Sequence, residues 1–326
     1  MTNPKTRFFV GFLLGVSLAL QAETELEKAA HLIKGRNYPE AQLVLDRAVQ
    51  ADPRNAEAYC LLGELQFIAR NHKKAVEYAD KAILLNYAKA SYQLLRGRVI
   101  GNLAQQVNMV RAMTMVGDIR GAFEKAVQLE PKNREARSYL FLFYLQTPGI
   151  AGGGLDKAKA FTEQTQSLDA AQGHYFKGLV LRREKNPGSA QAEYRLAIAA
   201  DPRYAVVYND LGGVELELKQ VDMAIEHFRK QVELTPEDAN SWDSLGEGWL
   251  AKGNLDESIK AYRKALSLDP LFTYSLRGLG KALEQAGRRD EAIQHYRQCA
   301  QLGGQKGIPR MVTESHARLK ALGVKD

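Results

Sequence analysis

The stretch "TPGIAGGGLDKA", residues 147–158, gathers four glycines just ahead of a lysine. A glycine-rich loop that opens a helix can cradle a phosphate with free backbone N–H groups. That chemistry needs Gly-x4-Gly-Lys-Ser/Thr after a strand. Here Gly149 is followed by Ile150, Ala151, Gly152, Gly153 and Gly154, so Lys157 is displaced, and Ala158 stands where a hydroxyl is required. The dinucleotide pattern Gly-x-Gly-x-x-Gly fails too, at Ala151. Metal ligation needs clustered His, Cys or carboxylates. His31, His72, His174, His227, His295 and His316 are scattered, with no His-x3-His and no Cys-x2-Cys. There is no Gly-x-Ser-x-Gly, and neither Cys60 nor Cys299 has a candidate base beside it. The two cysteines lie 239 residues apart at helical, apolar-patterned positions, which reads as two buried thiols. The expectation is a protein without catalytic machinery, cofactor or metal, and a glycine loop that is a joint.

Bulk properties bound what remains. The chain has 326 residues, 45% hydrophobic and 25% charged, a balance that suits a folded protein. The net charge is +7, but acids interrupt the bases and no basic run reaches five, so a nucleic-acid partner is not expected. Residues 1–22 have a plan of their own. Lys5 and Arg7 precede a run without charge from Phe8 to Leu20, and acidic Glu23 and Glu25 follow. This is the layout of a secretory signal peptide. The apolar run would span roughly 20 Å as a helix, short of a roughly 30 Å hydrocarbon core. A periplasmic location is the expectation, with an uncleaved, membrane-tethering leader as the alternative.

Periodicity organises the rest. Gly178, Gly212, Gly246 and Gly280 are spaced 34 residues apart, as are Tyr194, Phe228, Tyr262 and Tyr296. Ala190, Ala224 and Ala292 keep the beat, with Ser258 at the missing step, and so do Pro202, Pro236 and Pro270. Gly63 and Gly97 carry the same spacing in the first half. In "ANSWDSLGEGWLAKGNLDESIKAYRKALSLDP", Trp242, Leu245, Gly246 and Trp249 share one face of a first helix. Gly253-Asn254 breaks the chain, Asp256 is placed to cap a second helix, and Asp269-Pro270 ends it. Gly97 to Gly178 is 81 residues, two periods plus 13. About ten of the extra residues fall within 98–118, with Met109, Met113 and Met115, and the rest near the glycine loop.

This pattern resembles the tetratricopeptide repeat, over roughly residues 23–326 and most closely over 171–302. The resemblance implies an all-α fold: a right-handed α-solenoid of about eight helix–turn–helix repeats with a C-terminal capping helix in "MVTESHARLKALGV". The expected division is leader 1–22, N-terminal repeats 23–89, irregular repeats 90–170, regular repeats 171–304 and cap 305–326.

A repeat array without site chemistry offers surface. The concave face is expected on the first helices, at i, i+3 and i+7. The candidate groove residues are Tyr175, Asn209, Asn240, Asp243, Glu247, Tyr274, Arg277 and Lys281. Some tetratricopeptide domains hold a partner's C-terminal carboxylate with Lys, Asn and Arg across three first helices; Asp243 and Glu247 interrupt such a clamp here. Two readings follow. One is a non-catalytic scaffold that binds a peptide or protein in the groove. The alternative is a small-ligand-binding accessory protein of an envelope transport system, with a pocket at the central insertions.

Overall fold

The computed structural model describes residues 25–324, so the leader at 1–22 lies outside the described residues. Among the described residues the regular structure is entirely helical. No helix among them is long and apolar enough to cross a membrane. The chain divides into two compact units at Phe161–Thr162. The first holds α1 (25–34), α2 (Tyr38–Ala51), α3 (Ala56–Ile68), α4 (His72–Leu85), α5 (Ala90–Ala104), α6 (Met109–Leu129) and α7 (Arg134–Gln146). The dividing point falls within α8 (Leu155–Leu168). The second holds α9 (Ala170–Arg183), α10 (Pro187–Ala200), α11 (Ala205–Glu217), α12 (Val221–Leu234), α13 (Ala239–Lys252), α14 (Leu255–Leu268), α15 (Thr273–Gln285), α16 (Arg289–Gln305) and α17 (Pro309–Ala321). Each unit is an α-solenoid of stacked helical hairpins. The first helices open at Ala56, Ala90, Arg134, Ala205, Ala239 and Thr273, as the repeat phase predicts.

One turn geometry recurs between the helices of a hairpin. Arg36, Arg70, Lys185 and Lys219 adopt φ of 60–64°, and Gly253 and Gly287 take the same role at 80° and 75°. The left-handed residue lets the next N–H return to an orphan carbonyl of the first helix. Gln220 N–H reaches Glu215 O at 2.8 Å and Asn254 N–H reaches Trp249 O at 3.0 Å. The expected cap at Asp256 needs correction. Asn254 caps α14 by accepting from Glu257 N–H at 3.3 Å, and Asp256 sits in the first turn. The break at Gly253 comes one residue before the helix, so the cap falls on Asn254.

The repeated glycines mark where an aromatic ring seals a hairpin. A Cβ on Gly212 would lie 2.5 Å from Cε1 of Phe228, and one on Gly178 would lie 2.3 Å from Cε1 of Tyr194. Gly246 and Gly280 face Tyr262 and Tyr296 in the same way. Any side chain there would drive the helices apart. In all four pairs the ring follows sixteen residues after the glycine, but Gly97 meets Phe123, twenty-six residues on. The ten-residue insertion is thus located between the two halves of one contact. It lengthens α6 to 21 residues, against 14 in α10, α12 and α14. Ser258, the departure from alanine, is fully buried and donates to Gly246 O at 2.8 Å, so its hydroxyl adds a hairpin tie. The last hairpin is covered by α17, which buries Met311, Ser315 and Leu319 on one face. Leu319 packs with Leu283, Ile293 and Tyr296, closing the exposed end of the stack.

Candidate functional site

The glycine loop binds its own backbone. After α7, Pro148 starts a 3-10 turn over Gly149–Ala151. Ala151 and Gly153 N–H donate to Pro148 O, Gly152 N–H to Gly149 O, and Gly154 N–H to Tyr144 O. Lys157 donates to Gly152 O at 2.9 Å. The N–H groups of Ala151 to Gly154 are thus spent on the loop's own backbone, as in a joint. Gly152 and Gly154 are needed there for φ of 87° and 112°. Gly153 is needed for closeness, because a Cβ would lie 2.2 Å from Thr147 O.

Two of the histidines tie the helices of a hairpin together. His174 on α9 pairs with Glu193 on α10, and His227 on α12 with Glu215 on α11, each at 2.7 Å. Cys60 and Cys299 are buried free thiols, and burial pushes both thiols up, away from the reactive thiolate. Among the described residues no three His, Cys, Asp or Glu side chains converge as a metal site.

The stripe on the first helices of the second unit proves to be a ladder of contacts between repeats. Tyr175 on α9 donates to Asp210 on α11 at 2.8 Å. Ser244 on α13 donates to Asn209 on α11 at 2.6 Å. Ser275 on α15 donates to Asp243 on α13 at 2.7 Å. Arg277 on α15 donates to Glu314 on α17 at 2.7 Å. Residues 32 to 37 positions apart on neighbouring helices of this stripe face each other, so several of its polar groups find partners on the next rung. Burial raises the Asp243 carboxyl to about 6, against the opposing pull of its Ser275 bond.

The ladder sorts the candidate groove residues. Tyr175 is only 9% exposed and packs against Tyr194 and Tyr204, so in this structure it positions its neighbours and is no surface anchor. Asn209, Asp243 and Arg277 are half-buried and engaged as rungs. Asn240, Glu247 and Tyr274 are exposed. Lys281 is half-buried, and no hydrogen bond or ion pair is seen at its ammonium among the described residues. Burial, then Arg277, pulls its pKa down.

At the C-terminal end of this stripe lies a cavity of about 510 Å³. Arg277, Lys281, Arg310 and Arg318 line it beside two carboxylates, Glu284 and Glu314. Glu314 accepts from Arg310 at 2.6 Å as well as from Arg277, and these bonds, Arg310's first, hold its carboxyl down at about 2. Arg318 donates to Glu284 at 3.0 Å. The two carboxylates are paired with guanidinium groups, and Lys281 is left as the cation without a counter-charge in contact. Such a cavity can accept an anionic group.

The tetratricopeptide repeat profile matches residues 26–93, 175–239 and 246–305, more than half of the chain. The chain is a tetratricopeptide repeat protein. This tetratricopeptide protein is 25% identical over 211 residues to the DnaJ homolog subfamily C member 7 homolog of Schizosaccharomyces pombe, covering 59% of the chain and 41% of that relative. It is 23% identical over 146 residues to the TPR repeat-containing protein MJ1428 of Methanocaldococcus jannaschii, covering 45% and 23%. The chain thus spans less than half the length of either curated relative. In fold it is similar to the crystal structure of the APC/C hetero-tetramer Cut9-Hcn1, with a TM-score of 0.53, 17% identity, and coverage of 89% of this chain and 55% of that one. Tetratricopeptide repeats form a non-catalytic scaffold family that binds protein partners, and this protein carries that architecture in both units.

Sequence reasoning reached Arg277 and Lys281 but missed Arg310 and Arg318. These stand on α17, outside the repeat phase that defined the stripe. The signal was present in the capping segment: Arg310, Glu314 and Arg318 recur at i, i+4 and i+8, a stripe that flanks the buried face of Met311, Ser315 and Leu319.

Proposed function

We propose that this protein is a non-catalytic scaffold that holds an acidic segment of a protein partner at the C-terminal end of the second unit's groove. The observation that carries this reading is the cavity of Arg277, Lys281, Arg310 and Arg318, where cations outnumber carboxylates two to one. The partner's carboxylate meets Lys281, whose ammonium is in contact with no carboxylate among the described residues. Exposed Tyr274 and Asn240 extend the contact along the stripe, one as a ring and the other as an amide for the peptide backbone. Glu247 and Asp243, further along, repel a uniformly acidic chain, so they set direction and register.

The test is affinity capture from an envelope extract. The bait is the wild type, the Lys281→Gln/Arg310→Gln double variant, or Lys230→Gln on the exposed face of α12. A specific partner retained by the wild type and Lys230→Gln and lost from the double variant supports the reading. A partner retained equally by all three sinks it. The leader reading places the scaffold in the periplasm, and an uncleaved leader would tether it to the membrane. Amino-terminal sequencing of the fractionated protein decides between them: a mature end near Glu23 supports export with cleavage.

A further inference from the structure

The first unit contains a cavity of a different character. It measures about 430 Å³ and lies among α3, α5, α6 and α7. Its walls are Phe67, Phe123, Tyr139 and Phe143. Phe123 and Tyr139 stack at 5.4 Å with an interplanar angle of 19°. Three side-chain amides, Asn102, Gln105 and Gln146, stand among the lining residues with Thr147. Asn102 accepts from Gln106 at 3.3 Å, while Gln105 and Gln146 make no side-chain hydrogen bond among the described residues. One charged residue lines the cavity, Arg98. Its guanidinium lies over both Phe67 and Tyr139, 5.4 and 5.6 Å from their centroids, and 3.9 Å from Glu135.

The cavity has an identifiable origin in the insertion. Gly97 packs against Phe123, but one turn later a Cβ on Gly101 would meet nothing within 4 Å. The missing side chain leaves the space open. The wall formed by Val116, Ile119 and Phe123 on α6 continues outward through Met113 and Met109, at i−3 and i−7 from Val116. Both methionines are exposed, Met109 to 81%, so the apolar stripe of α6 runs on past the lining residues as flexible side chains. Ligand pockets are concave and mainly apolar, carry a few convergent polar groups, and run from about 300 to 1,000 Å³. This cavity meets each condition.

We propose that the cavity binds a neutral small molecule with a flat, aromatic body and an amide-like edge that both donates and accepts hydrogen bonds. The rings take the body. The amides of Asn102, Gln105 and Gln146 read the edge, since each can donate and accept. Arg98 is held between two rings and faces Glu135, so it favours no second anion. An aromatic residue in a peptide offers the same chemistry, but the occupant proposed is the free molecule. This site is independent of the groove in the second unit.

The test is ligand-observed NMR titration of the full chain with three probes: indole-3-carboxamide, indole-3-carboxylate and a capped Gly-Gly-Phe-Gly-Gly peptide. The proteins are the wild type, Gly101→Phe, which fills the cavity, and Gly121→Phe. Gly121 is an exposed helical glycine of α6 that also faces open space and is not part of the lining. Phenylalanine is a better helix former than glycine, so both variants keep the fold, which circular dichroism checks. The carboxamide should bind the wild type and Gly121→Phe equally and Gly101→Phe at least tenfold more weakly. The carboxylate should bind at least tenfold more weakly than the carboxamide. The proposal is overturned if the carboxamide shows no saturable binding, if Gly101→Phe binds like the wild type, if the carboxylate binds as well, or if the peptide binds tenfold tighter than the carboxamide.

Discussion

Two adjacent glycines of α11 isolate the packing role of the repeat. A Cβ on Gly212 would lie 2.5 Å from Cε1 of Phe228, whereas one on Gly213 would meet nothing within 4 Å. Both residues are in the interior of the same helix, so replacing either by alanine brings the same intrinsic gain of about 0.8–1.0 kcal/mol. At Gly213 that gain stands alone, and Gly213→Ala should stabilise the protein by about that amount. At Gly212 the methyl collides with a ring that is only 2% exposed and has little room to retreat. Overpacking of this kind costs about 1–3 kcal/mol. Gly212→Ala should therefore fall between near-neutral and about 2 kcal/mol destabilised, with a gap of about 1–3 kcal/mol between the variants. Because the propensity gain cancels, the gap measures the collision directly. The assay is guanidinium unfolding of the full chain, followed by circular dichroism and compared through midpoints at equal slopes. Equal stabilisation by both substitutions would refute the claim that the glycine–aromatic contact sets hairpin spacing.

Lys219 occupies the left-handed turn position that glycine fills in the next two repeats. Lys219→Gly should stabilise the protein by about 0.5–1 kcal/mol, by relieving the Cβ–carbonyl crowding of that region; thermal unfolding reads the shift. Asp243 gives a pH signature. Its folded carboxyl titrates at about 6, above the unfolded value of about 3.9, so the native state binds the proton more tightly. The penalty for ionising it is absent below the unfolded value and complete above the folded one. Asp243→Asn should match the wild type in stability near pH 4 and become increasingly more stable relative to it as pH rises through 6. Unfolding midpoints across that range check it, and a difference that does not vary with pH contradicts the buried-carboxyl reading.

Much of the architecture was legible because its cause is local and repeated. A small residue and a ring at fixed spacing appear in every regular hairpin, and the extra ten residues show in the sequence as a break in that spacing. The helix starts at Ala205, Ala239 and Thr273 follow from the same beat. The groove was harder to read. Its stripe was found by phase, but phase cannot tell an exposed side chain from one bonded to the next rung. Gln172 and Tyr274 occupy equivalent phases, three periods apart, yet Gln172 is fully buried while Tyr274 is exposed. The basic cavity depends on Arg310 and Arg318 from a helix outside the repeat, so no periodic argument brings them beside Lys281. The cavity in the first unit is the hardest to read from sequence, because its essential feature is the side chain that Gly101 lacks. That pattern reads as an ordinary helical glycine until the surrounding rings are placed.

The central claim is that a protein partner docks on the first-helix stripe of the second unit. It is tested most directly by site-specific photo-crosslinking in cells. Benzoylphenylalanine is placed singly at Asn240 and Glu247, both exposed on that stripe, and at Lys264, exposed on α14. Irradiation should give the same discrete protein adduct from Asn240 and Glu247 and none from Lys264. An adduct from Lys264 alone, or none from either stripe position, would contradict the claim.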